Sequence, residues 1–363
     1  MQWISDSYFE AREIFRTRAE SAGWRLEAHP LKAAGPGGET LTIDIAVKGS
    51  VQPRRAVVVS SGTHGVEGFF GSGVQRAFLE RPEVVDGLEE DAAMLLVHAV
   101  NPYGFAWVRR VNEDNVDLNR NFLLDGDHYE GCPDGYHRMD PLLNTPTPPG
   151  GFEAFLPRAI WNIVRHGMPA LKSAVATGQY AYPKGLFYGG SQASQSQQIL
   201  SEALPRLLPN TERVIHIDFH TGLGKWGTYT LGVSDPVGSP KVRRLQEAFG
   251  EPAVEALDPS GTLYVIRGVL GDWCQELLPD TQYDCVLAEF GTVHILKVIA
   301  ALRAENRAHH YGEPGTSSTQ AAKQALRDAF APHSESWERE VVAKGLRLIE
   351  QAMQAQELMR CAD

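Results

Sequence analysis

Residues 56–68 read AVVVSSGTHGVEG. The valine-rich half is nearly continuous in apolar side chains, as a strand buried on both faces requires. It breaks at Gly62, and residues from Val66 to Glu80 then read as a helix. Strand, glycine turn and helix form one unit of an α/β sheet. Working outward, AMLLVHAV at 93–100 is a second such apolar run, and TLTIDIAV at 40–47, VIHIDF at 214–219 and CVLAEF at 285–290 are further strand candidates. A helix is expected from Ser7 to Ser21, with Phe9, Ile14, Phe15 and Ala19 at helical spacing and Gly23 as its stop. Others are expected from Val293 to about His309 and from about Ser336 to about Leu358. Strands alternating with helices predict a three-layer α/β/α sandwich around a central mixed, mostly parallel, twisted sheet.

The 363 residues suffice for one large domain or two smaller ones. With no internal repeat and no linker, a single domain over 1–363 is expected, with a loop insertion at about 126–200 and a closing helix at about 336–358. The Pro-, Gly- and Asp-rich stretch from Gly126 to Gly151 reads as a loop excursion, and so does YPKGLFYGGSQASQSQ at 182–197. Such loops often line a site.

The net charge of −11 argues against a broad nucleic-acid or anionic-membrane footprint. No apolar run approaches the ~20 residues of a membrane span, and the charged first 24 residues lack the pattern of a secretion signal. The four cysteines (Cys132, Cys274, Cys285, Cys361) have neither metal-type spacing nor disulfide density, and each reads as a plain small side chain. The expected compartment is the cytoplasm, with thiols reduced.

Four segments carry chemistry, each at or just beyond the carboxyl end of an expected strand, where α/β sheets place ligands. In SSGTHGVEG (60–68), His64 and Glu67 lie three apart in a turn entering a helix, a spacing that lets imidazole and carboxylate reach one ion. A surface pair at a helix start would read the same; the flanking Gly62, Gly65 and Gly68, which permit tight turns, favour the ligands. In HIDFHTGLG (216–224), a strand ends at His220 before a glycine turn, placing a third ligand; His216, further inside the strand, reads as packing. Two histidines and one carboxylate leave a fourth position open, the catalytic pattern of zinc site. Ligand type alone selects zinc, and Mn²⁺ or Co²⁺ can substitute in vitro. In CVLAEF, Glu289 is an acidic residue in an apolar strand, costly without a partner or a task.

The remaining segment, NPYGFAWVRRVNEDNVDLNRNF (101–122), makes the pattern specific. Its Asp117-Leu118-Asn119-Arg120-Asn121-Phe122, preceded by Asn101-Pro102 and an arginine, resembles the signature of the zinc carboxypeptidase family. The order His-x-x-Glu, Asn-Pro, Arg, Asp-x-Asn-Arg-Asn, His, Glu is also similar to that family's, over about residues 56–123 and 213–292. The resemblance implies one Zn²⁺ per chain on His64, Glu67 and His220, with Glu289 as general base. It implies that Asp117 accepts the free N–H of His64, that Asn119 and Arg120 bind a substrate carboxylate, and that Arg110 or its neighbour Arg109 holds the developing oxyanion, Arg110 fitting the spacing of shorter bacterial members. Gly268-x-x-Gly271-Asp272-Trp273 resembles the segment before the family's last strand, which would make Tyr264 a phenol contacting substrate; strand packing is an equal reading of that tyrosine. The implied activity is hydrolysis of an amide or peptide bond next to a free carboxylate, on a peptide, a cell-wall peptide or an N-acyl amino acid. Deacylases of the desuccinylase–aspartoacylase type share the Asn-Arg pair, and Thr221-Gly222 somewhat resembles theirs. A non-catalytic binding protein on the same fold is the remaining reading; loss of a ligand or of the base would mark it, and each expected position is filled.

Overall fold

A computed structural model describes residues 2–150, 157, 177–256 and 267–358. The valine-rich run forms β3 (Arg55–Ser61), flanked in one eight-stranded sheet by β1 (Arg25–Ala34), β2 (Thr40–Gly49), β4 (Ala92–His98), β5 (Arg213–Thr221), β6 (Tyr229–Val233), β7 (Val254–Ala256) and β8 (Gln282–Phe290). The order is β1-β2-β4-β3-β5-β8-β6-β7. The central strands β4, β3, β5 and β8 run parallel. β1 and β2 add antiparallel pairs on one side, and β6 joins β8 antiparallel on the other. The sheet is therefore mixed with a parallel centre.

Alternation along β3 supplies two cores, because successive side chains point to opposite faces. Val57 and Val59 pack with Phe15 of α1 (Tyr8–Ser21), Phe70 and Val74 of α2 (Gly68–Leu79) and residues of the closing helix. Ala56 and Val58 pack on the other face with Leu200 and Leu204 of a helix at Gln195–Leu207 and with Leu270 and Trp273 of one at Leu270–Leu277. Helices thus cover both faces, giving three layers.

Several elements escaped the sequence pattern. β1 has a single buried residue, Leu31, and carries charges and Pro30, which suits an edge strand and hides its period. The supposed loop excursion at 126–151 contains α4 (Asp134–Leu143), the fourth helix after a short α3 (Pro102–Ala106). Tyr136, Met139 and Leu143 are its buried face, a helical spacing masked by the surrounding Pro and Gly. The supposed loop at 182–197 is irregular only as far as Ser194, which caps α5, the helix Gln195–Leu207. Among the described residues α6 (Pro240–Phe249), α7 (Leu270–Leu277) and α8 (Ile295–Tyr311) follow, and then α9 (Ser317–Phe330) and α10 (Glu335–Ala355). Among the described residues no helix is long and apolar enough to cross a membrane. Cys274 and Cys285 are buried free thiols and Cys132 is partly buried, whereas Cys361 lies outside the described residues.

Candidate metal centre

The carboxyl ends of β3, β5 and β8 lie side by side, and the site grows from them. Beyond β3 the chain turns at Gly62, with φ of +65°, a conformation glycine adopts without strain. It then makes one 3₁₀ turn, Gly65–Glu67, into α2, which presents His64 and Glu67 together. That turn lies flat against another backbone: a Cβ on Gly65 would fall 2.1 Å from the carbonyl carbon of Gly104. The two segments are joined by hydrogen bonds from Gly65 N to Arg110 O (3.0 Å) and from Val66 N to Arg109 O (2.8 Å). The loop bearing the histidine is thereby clamped to the loop bearing the arginines. Gly65→Ala is expected to destabilise the protein by about 1–3 kcal/mol through overpacking and to shift His64, measurable as a lower unfolding temperature together with weakened metal binding.

Three donor groups converge here. His64 Nδ1 is 2.9 Å from Glu67 Oε1, His220 Nδ1 is 2.9 Å from Glu67 Oε2, and the two Nδ1 atoms are 3.1 Å apart. All three side chains are buried, and within the described residues this is the group of His, Cys, Asp or Glu side chains with metal-ligating proximity. Ligand atoms about 2.0–2.1 Å from a tetrahedral zinc stand roughly 3.3 Å from one another, close to these spacings. The far nitrogens face carboxylates: His64 Nε2 is 3.0 Å from Asp117 Oδ1, and His220 Nε2 is 2.6 Å from Asp218 Oδ2. Such carboxylates fix the tautomer that leaves Nδ1 to the metal.

The electrostatics favour a cation at the same point. Burial alone would lower the pKa of His220, but Asp218 and Glu67 outweigh it and raise that pKa well above the ordinary histidine value. Burial would raise Glu67, yet the two histidines hold it low. Asp117, also desolvated, is kept well below the carboxylate range by Arg110, Arg120 and His64. Two imidazoles, a carboxylate and two flanking carboxylates thus fit a divalent metal in charge and donor type.

Glu289 is the register partner of His220 on the adjacent strand β8. One of its oxygens, Oε1, accepts the Leu223 N–H at 2.8 Å. Burial and the nearby charge of Glu67 push its carboxyl up to about 8; a divalent cation on the three donors acts in the opposite direction.

Arg110 reaches the cluster, with Nη1 2.9 Å from Glu67 Oε1 and Nε 3.2 Å from Asp117 Oδ2. Its Nη2 also lies 2.8 Å from His64 Nε2. Guanidinium nitrogens only donate, so that contact competes with the Nε2–H to Asp117 pairing. Asp117 is pinned by the Asn119 N–H at 3.1 Å, whereas the Arg110 side chain keeps 15% exposure at the mouth of the site. Of the two, Arg110 is the one that keeps solvent exposure.

Arg109 lies elsewhere. It is wholly buried, donating from Nε to Glu305 of α8 at 3.0 Å and from Nη2 to Asn115 at 2.9 Å. In this structure Arg109 is directed to that interior ion pair and not to the donor cluster that Arg110 reaches. Asn119 and Arg120 occupy a 3₁₀ turn, Leu118–Arg120, whose cap is Asp117. Asn119 Oδ1 accepts the Leu270 N–H at 3.3 Å, and Arg120 Nη1 donates to the Asn119 carbonyl at 3.0 Å, while its buried Nε has no hydrogen-bond partner among the described residues. Tyr264 lies outside the described residues.

The aromatic segment from Tyr180 to Gly189 packs against this turn. The Asp117 N–H donates to Tyr188 O (2.7 Å), Asn121 Nδ2 to Gly189 O (2.9 Å) and Tyr180 OH to Arg120 O (2.7 Å), and the Arg110 guanidinium sits 6.0 Å from the centre of the Phe187 ring. Asp218, Ser60 and Thr63 were not singled out from the sequence as site residues. A signal existed: His216, Asp218 and His220 alternate along one strand, which puts all three on one face.

Fold and site together define an α/β protein with a His–Glu–His donor cluster at the carboxyl edge of its sheet. The chain belongs to the family described as protein of unknown function DUF2817, which matches residues 4–344. Comparison with curated proteins finds no match. Similar solved structures include bovine thrombin-activatable fibrinolysis inhibitor in complex with tick carboxypeptidase inhibitor, 13% identical over 95% of this chain and 99% of that one, with a TM-score of 0.48. Succinylglutamate desuccinylase/aspartoacylase from Rhodobacter sphaeroides is 14% identical over 93% of this chain and 67% of that one, with a TM-score of 0.42. Murein-tripeptide amidase from Escherichia coli O157 is 16% identical over 83% and 91%, with a TM-score of 0.36.

Proposed function

We propose that this protein is a zinc-dependent hydrolase that cleaves an amide or peptide bond next to a free carboxylate, with one Zn²⁺ per chain held by His64, Glu67 and His220. The observation that carries the reading is the meeting of two Nδ1 atoms and one carboxylate within 4.8 Å of one another, with Glu289 beside them in register. A zinc ion in this donor set would supply Lewis acidity toward a carbonyl oxygen and would lower the pKa of a water toward ~7. Glu289 takes the proton of the attacking water on its carboxylate and returns it to the leaving nitrogen. Asp117 and Asp218 hold the Nε2–H of His64 and His220 and so keep both rings aimed. Arg110 turns from Glu67 to the carbonyl oxygen as negative charge builds there. Asn119 and Arg120 grip the substrate carboxylate, the planar guanidinium matching its two oxygens; the buried Nε of Arg120, unpaired among the described residues, supports this role.

The test is a panel of short peptides and N-acyl amino acids, each with a free or an amidated carboxyl, assayed with the zinc-loaded protein. Free acids are cleaved and amides are not; equal rates on both forms contradict the reading. Arg120→Ala is expected to raise KM for the free acid roughly 10–100-fold, the worth of one charged hydrogen bond, measured by steady-state kinetics. The panel also separates peptidase from deacylase, both of which fit the same carboxylate grip.

A further inference from the structure

One face of β5 carries a column of polar side chains inside an apolar sheet. His216, Asp218 and His220 alternate along it and are all buried. Ser60 on β3 is the register partner of Asp218. For a neutral His216, donor and acceptor counting fixes the direction of every bond. A carboxylate only accepts, so Asp218 takes the Nε2–H of His220 at 2.6 Å, the Ser60 hydroxyl at 2.5 Å and the Thr63 hydroxyl at 2.9 Å. A serine hydroxyl has one proton, and Ser60 has given it to Asp218. Its contact with His216 Nε2 at 2.8 Å is therefore one in which Ser60 Oγ accepts. His216 then carries its proton on Nε2 and accepts at Nδ1 from the Tyr283 hydroxyl, 3.0 Å away. Each donor in the chain points toward Asp218, and such chains strengthen one another in a dry interior.

We infer that His216, together with Ser60, is a positioning residue of the metal centre: it aims the Ser60 hydroxyl at Asp218, which in turn holds His220 with Nδ1 facing Glu67 and His64. This replaces the reading of His216 as packing. Packing would be served by any apolar side chain of similar volume. The column does more, because Asp218 is the group that orients a metal ligand, and two of its three donors, Ser60 and Thr63, come from the strand and turn that deliver His64. The chain thus couples the two histidine ligands through Asp218.

The proposal rests on the zinc reading, and its test separates the two. Zn²⁺ affinity is measured by competition with a chromogenic chelator for wild type, Ser60→Ala, His216→Leu and His216→Gln, each checked for fold by circular dichroism and for thermal unfolding without metal. Ser60→Ala and His216→Leu are expected to weaken zinc binding about 10–100-fold, the usual effect of losing an outer partner of a metal ligand. His216→Gln, whose amide N–H reaches the place of Nε2–H, restores most of the affinity. Folded variants that bind zinc like wild type overturn the proposal, and so does a lower unfolding temperature with unchanged affinity, which marks His216 as packing. If His216→Leu does not fold, Ser60→Ala, which removes a single hydroxyl, decides. A wild-type protein that binds no zinc overturns the metal reading itself, and this proposal with it.

Discussion

Glu289→Gln is expected to lower kcat by about 10²–10⁴-fold, the usual contribution of a general base, while the protein keeps its zinc. The amide is nearly isosteric and its Oε1 can still accept the Leu223 N–H that Glu289 accepts at 2.8 Å, so the fold has no reason to change. What is lost is the proton acceptor. The pH profile carries a second, independent readout. A base works deprotonated, so the rate falls as pH drops through its pKa. Burial and Glu67 set that pKa at about 8, and a bound dication pulls it down, so the acidic limb of the loaded enzyme lies below 8. The limb disappears in Glu289→Gln. Wild-type turnover in the variant, or an unchanged limb, would remove Glu289 from the mechanism.

The second large effect concerns the adjacent arginines. Arg109→Ala is expected to cost about 3–5 kcal/mol of stability, because it strands a buried carboxylate. Glu305 is 3% exposed; its burial would raise its pKa, and the charges of Arg109 and Lys323 outweigh that and hold it low. Lys323 stays at 3.1 Å and softens the loss without replacing the Arg109 Nε bond. Arg110→Lys keeps a positive charge beside Glu67 and Asp117 but loses the guanidinium fork, and it is expected to lower the rate about 10²–10³-fold, as loss of an oxyanion donor does. Chemical unfolding and steady-state kinetics on both variants check the division of labour. A destabilised Arg110→Lys with normal turnover, or a stable Arg109→Ala with impaired turnover, would reverse it.

The contrast between these two residues shows how far the sequence could be read. Position along the chain brought both arginines near Asp117, but one residue apart on an irregular loop they point into different environments, and a linear pattern carries no signal for that. The parallel strands β3 and β4 were legible because burial on both faces makes them nearly continuously apolar, and β5 and β8 because apolar residues dominate them around His216, Asp218 and Glu289. The edge strands were not: β1 is polar with a single buried residue, and β7, Val254–Ala256, is too short to show a period. The donor residues His64, Glu67 and His220 were legible from spacing at strand ends. Their supports were only half so: Asp117 stood out through a resemblance, whereas Ser60, Thr63 and His216 depend on register between β3 and β5, which is a property of the folded sheet. The helix at Asp134–Leu143 was hidden by the Pro and Gly around it, although its buried residues keep helical spacing.

The central claim is tested most directly by elemental analysis of purified wild-type protein beside His64→Ala. About one zinc per chain in wild type, lost in the variant, is the expected result for a three-ligand site with one ligand removed. Wild-type protein without metal, even after incubation with zinc, or a variant that retains its full complement, would contradict the account.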